Sequence, residues 1–126
     1  MKGLLLAVLV IAGCESGMDP TGSISSEEVF VAISSGQSPL ILDVRSQEEY
    51  EQGYIPGAIH IPHEELQDNI AKLGLSSTSE VIVYCHSGGR AAKAEKILRG
   101  NGFTNVRDLK GHWLAWSEEK RPITRP

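Results

Sequence analysis

Two short runs, "LILDV" at 40–44 and "EVIVY" at 80–84, constrain this chain more than any other feature. A strand that is apolar on both faces must be covered on both, the condition of a parallel sheet held between helical layers. The segments between the runs carry helix signals. Ser25 with Glu28 is a capping-box pattern ahead of a helix through Val29 and Ile33, which "SSGQSP" stops. Ser46 with Glu49 repeats the pattern for a short helix ending at Gly53. "YIPGAIHIP" predicts a turn and then a short strand over 58–61, and "HEELQDNIAKLGL" sets Leu66, Ile70 and Leu73 at helical spacing. "RAAKAEKILRGNG" predicts a helix from Arg90, with Ala92, Ile97 and Leu98 facing inward and Gly100 or Gly102 at its end. "FTNVRDL" predicts a further strand, and "GHWLAWSEE" a last helix whose Trp113 and Trp116 serve the core and its rim. Alternating strands and helices give an α/β fold: a central, mostly parallel sheet flanked by helices, in three layers.

The amino end reads differently. "MKGLLLAVLVIAGC" holds one Lys, an apolar run from Leu4 to Ala12, and small residues before Cys14. That run is too short to span a bilayer and suits a secretory signal. Its ending, Ile11-Ala12-Gly13-Cys14, resembles a bacterial lipobox, with Ile11 where Leu is usual. The resemblance implies a signal peptide over 1–13 and a lipid on Cys14. The protein would then be anchored in a bacterial cell envelope, on the non-cytoplasmic side of a membrane (periplasmic if Gram-negative). Residues 14–23 are small and polar and read as a flexible tether, ahead of a domain over 24–121 and a tail over 122–126.

With Cys14 lipidated, Cys85 is the one remaining thiol of the two cysteines, which excludes an internal disulfide and a cysteine-rich zinc site. His60, His63, His86 and His112 share no ligand spacing, so no metal and no cofactor is expected. A net charge of −4 gives no case for nucleic acid, and a monomer is expected. The charge is unevenly spread. From His86 onward nine basic residues face four acids, which favours a small anionic ligand, although most of those lysines read more simply as solvated helix faces.

Cys85 sits after "EVIVY" and before the helix from Arg90, where open parallel sheets bind their ligands. A cysteine at a strand end can be simple core packing. The neighbours here argue for chemistry. Gly88 and Gly89 can take positive φ, so the loop can curl with its N–H groups inward, backed by a helix N-terminus. Such a nest holds a sulfur as thiolate or binds an anion above it.

"LILDVRSQEEYEQGYIPGAIHIP" and "VIVYCHSGGRAAKAEKILRGNGFTNVRDLKGHWLAW" together resemble the two signatures of the rhodanese family, over roughly residues 24–118. Tyr54 stands where that family usually has His, and His112 replaces the second glycine of its usual Gly-Gly. The resemblance implies a rhodanese-like fold and a sulfurtransferase. Cys85 would take sulfur from a donor such as thiosulfate as a persulfide, then pass it to a thiophilic acceptor, cyanide or a thiol. The N–H groups of His86, Ser87, Gly88, Gly89 and Arg90 would stabilise the sulfur. Arg90 either contacts the anionic donor or pairs with an acid of the fold. His86 either relays a proton or lends only its N–H. Asp43 and Arg45 support the site, as pocket lining or, the simpler reading, as a buried ion pair bracing the loop. Glu49 is read as the capping-box acid. The same fold also serves phosphatases and arsenate reductases, but phosphatase loops place five residues between Cys and Arg. Here there are four, a tighter ring that suits one sulfur atom. A non-catalytic binding or persulfide-carrier module is the remaining alternative.

Overall fold

The computed structural model describes residues 22–126, so the expected leader, Cys14 and most of the tether lie outside the described residues. Five strands form one sheet in the order β1-β5-β4-β2-β3, and every neighbouring pair is parallel. β2 (Leu40–Asp43) and β4 (Val81–Tyr84) lie at its centre, paired from Leu40↔Val81 to Asp43↔Tyr84. β3 (Ile59–His60) and β1 (Ser23–Ile24) are short edges, and β5 (Val106–Leu109) lies between β1 and β4.

The central strands send alternate residues to opposite faces. Leu42, Val81 and Val83 join Leu66, Ala91, Ala94, Leu98 and Phe103 in one core beneath α3 (Leu66–Asn69) and α4 (Gly89–Gly100). Ile41, Ile82 and Tyr84 join Val29, Leu109 and Trp116 in a second core beneath α1 (Ser26–Ser34) and α5 (His112–Glu118). The result is the expected helix–sheet–helix sandwich.

Local signals explain most of the elements. Ser25 accepts the Glu28 N–H at the head of α1, and Ser46 with Glu49 forms the full reciprocal box at the head of α2 (Gln47–Gln52). Other expectations need correction. The segment expected as one helix over 63–73 is a 3-10 turn (His63–Glu65), the single α-turn α3, and another 3-10 turn (Ile70–Leu73). Asn69 accounts for part of this, since its side-chain amide donates to the Glu65 carbonyl at 2.6 Å and competes with the helical ladder. α4 starts one residue earlier than expected, and its inward face is Ala91, Ala94 and Leu98, with Ile97 packed half-buried against the same core; Ala92 is exposed. Ser23, placed in the tether, opens β1 and donates to Asp108 at 2.8 Å. The supposed tail is fastened to the body. Thr124 and Tyr54 exchange backbone hydrogen bonds at 2.9 Å in both directions, and Trp116 Nε1–H donates to the Pro122 carbonyl at 2.8 Å.

Candidate active site

Cys85 follows the last residue of β4 and is 1% exposed. The chain then turns through His86 and Ser87 to Gly88, which caps α4 with φ +126. Two N–H groups reach the sulfur, Gly88 at 3.0 Å and Ala91 at 3.4 Å. The ring is therefore built from Gly88 and from Ala91, which lies beyond the expected set of His86 to Arg90. Positive φ is likewise needed at Gly88 alone; Gly89 is the first residue of α4 and lies outside the left-handed region. His86 and Ser87 are exposed at the rim of the loop. Two amide dipoles and the head of a twelve-residue helix converge on Sγ and turn their positive ends toward it.

The loop is fastened from behind by the start of α5. The Cys85 and His86 carbonyls accept the N–H groups of Trp113 at 3.0 Å and Leu114 at 3.3 Å. The Cys85 N–H donates to His112 Nδ1 at 3.3 Å.

Arg90 pairs with an acid of the fold. Its guanidinium grips Glu49 of α2 as a fork, with Nη2–Oε2 at 3.0 Å and Nη1–Oε1 shorter still. Glu49 also accepts the Ser46 N–H, so one carboxylate closes the α2 cap and ties α2 to α4. The Arg90 bonds, against the cost of desolvation and with help from Ser46, hold the Glu49 carboxyl down to about 2.

Asp43 and Arg45 form the buried pair, with Nη2–Oδ2 at 2.7 Å and both side chains essentially inaccessible. Tyr84, adjacent to the thiol, donates its hydroxyl to Asp43 at 2.6 Å and accepts the Ile55 N–H at 3.1 Å. Burial first, then the Asp43 charge, pushes the Tyr84 phenol far above its usual range, so it stays a donor. Arg45 donates to the Gly53 carbonyl at 2.7 Å and lies 4.2 Å over the Trp113 ring. The pair thus braces β2, α2, β4 and α5 beneath the loop, and Arg45 also reaches the wall of a cleft of about 240 Å³ lined by Glu49, Gln52, His86, Trp113 and Arg125. Two larger depressions, about 450 Å³ along α1 and about 530 Å³ around Ser38, Pro56 and Leu75, lie away from the sulfur. No cluster of metal-ligating side chains occurs among the described residues.

The rhodanese-like domain family matches residues 26–119. The chain belongs to the rhodanese-like family. A sulfurtransferase of Allochromatium vinosum is 29% identical over 82% of this chain and 94% of its own length. Thiosulfate sulfurtransferase PspE of Escherichia coli is 37% identical over 56% of this chain and 67% of its own. YrkF of Bacillus subtilis, a proposed sulfur carrier by its name, is 39% identical; the match takes in 92% of this chain but only 63% of YrkF. The crystal structure of Alr3790 from Anabaena sp. superposes with a TM-score of 0.74 at 30% identity, covering 82% of each chain. Sulfurtransferases thus recur among the relatives of this rhodanese-like chain.

Proposed function

We propose that the protein is a sulfurtransferase that cycles through a persulfide on Cys85. The observation that carries this reading is the pair of N–H groups, from Gly88 and Ala91, aimed at a sulfur at the head of α4. The Cys85 thiolate attacks the outer sulfur of thiosulfate; the donor's S–S bond breaks and sulfite leaves with the electron pair. The persulfide carries one negative charge, which the same amides stabilise. A thiophile such as cyanide then takes the outer sulfur, giving thiocyanate and restoring the thiolate. The cleft beside His86, with Arg125 on its wall, is the approach for an anionic donor. The four-residue spacing from Cys85 to Arg90, and the engagement of Arg90 by Glu49, favour sulfur over phosphate as the group handled.

Intact mass after incubation with thiosulfate tests the reading. Wild type gains one sulfur and, with cyanide, releases thiocyanate; Cys85→Ser keeps its melting temperature within a few degrees and does neither. Thiocyanate production undiminished in Cys85→Ser, or phosphatase turnover above sulfur transfer, overturns it. We also propose that Cys14 carries a lipid holding the protein at the outer face of a bacterial membrane, on the strength of Ile11-Ala12-Gly13-Cys14. Equal release of wild type and Cys14→Ala into the soluble fraction of cells would refute the anchor.

A further inference from the structure

His112 occupies a costly backbone position. Its φ is +52, in the left-handed region, which costs a non-glycine residue about 1–3 kcal/mol and persists where the surroundings hold the residue there. The side chain is 8% exposed, and each ring nitrogen has a partner. Nδ1 accepts the Cys85 N–H at 3.3 Å, which places the ring proton on Nε2, 3.5 Å from Asp108 Oδ2. Asp108 is itself fixed by the Ser23 hydroxyl. The ring also lies against Gly88, so closely that a Cβ there would stand 3.0 Å from Nε2. One imidazole therefore touches both the backbone of the nucleophile and the residue that donates to its sulfur.

We propose that His112 is a positioning residue for sulfur transfer, setting the Cys85 backbone and the Gly88 amide only while Nδ1 is unprotonated. The proposal rests on the persulfide reading for its activity readout but has a second readout that does not. A proton on Nδ1 turns the acceptor into a donor facing the Cys85 N–H, so the loop loses its fastening. Three groups face the ring: Cys85 from the loop, Gly88 from the head of α4 and Asp108 from β5; the Asp108 charge also acts on Glu95 of α4. Burial, opposed by the Asp108 charge, lowers the His112 pKa below its ordinary 6.5, which keeps the acceptor form dominant at neutral pH.

Variants in the full chain test this. His112→Gly relieves the backbone and removes the acceptor; His112→Asn tolerates the left-handed position and offers an oxygen near the place of Nδ1 without titrating. Sulfur loading from thiosulfate at pH 8 should fall about tenfold in His112→Gly and return to within about threefold of wild type in His112→Asn. Wild-type loading should lose a further step as pH drops through the His112 titration, and His112→Asn should lack that step. Equal rates and equal pH profiles in all three proteins would overturn the proposal. The second readout uses Cys85→Ser, which removes the thiol from the loop. There the amide shifts of residues 85 and 88 should move with the His112 ring, and amide exchange at 85 should quicken at least tenfold when His112→Gly is added. Amides indifferent to His112 would overturn the geometry even in a protein that loads sulfur. A wild type that loads none would refute the persulfide reading while leaving the amide result to judge His112.

Discussion

Gly88 and Gly89 are chain neighbours with opposite demands, and replacing each by alanine separates them. At Gly88 the backbone sits at φ +126, which costs an L-residue about 1–3 kcal/mol before any contact is considered. The new Cβ would also stand 3.0 Å from His112 Nε2 and 3.3 Å from Cδ2, so the ring must give by a few tenths of an ångström. That movement loosens the bond to the Cys85 N–H. At Gly89 no atom lies within 4 Å of a new Cβ, and the residue belongs to α4. Alanine there gains helix propensity, up to about 1 kcal/mol, and restricts the unfolded chain. A domain near 100 residues moves about 4–8 °C per kcal/mol, so a loss of about 2 kcal/mol in Gly88→Ala lowers Tm by roughly 8–16 °C. Gly89→Ala should hold or raise Tm by a few degrees. Thermal unfolding by circular dichroism reads both, and intact mass after thiosulfate shows sulfur uptake lost in the first variant and kept in the second. A Gly88→Ala protein melting within 2 °C of wild type with normal uptake would refute the reasoning, as would an equal fall in Gly89→Ala.

Two further perturbations address the frame around the loop. Asp43→Asn leaves the Arg45 charge buried without its counter-charge and should cost about 3–5 kcal/mol in urea unfolding; a loss under about 1 kcal/mol would show that the pair braces nothing. Glu49 is held from 4.5 down to about 2, so its contribution to stability is complete above 4.5 and is lost as pH falls toward 2. Glu49→Gln should therefore flatten the dependence of Tm on pH across that window, and an unchanged acid limb would count against the Arg90 fork.

The central strands were legible because Leu40 to Leu42 and Val81 to Tyr84 are apolar on both faces, a pattern with few other uses. β1 was not, since two residues carry no alternation and its register is set by Asp108 and Leu109, over 80 positions away. Cys85 and its glycines announced the candidate site, but which amides reach the sulfur depends on where α4 begins. One residue of difference brought in Ala91 and released Gly89 from any need for positive φ. Glu49 read correctly as a cap, because a cap is local; its second partner, Arg90, is 41 residues distant and invisible to spacing. His112 stood out as a departure from glycine, yet only the fold brings its ring beneath Cys85.

The stretch from Pro122 to Thr124 gives the domain a mechanical property. Ile123 packs so tightly on Gly53 that a Cβ there would stand 2.7 Å from its Cγ2, and Gly53 is where Arg45 delivers one of its hydrogen bonds. The neighbouring Thr124 is stitched to Tyr54. Tension applied at Pro126 is therefore carried within a few residues to the end of α2 and into the ion pair under the Cys85 loop. The span shared with the family, 26–119, omits both this strap and the edge strand β1, so a fragment cut to that span would lose the tie as well as a strand of the sheet.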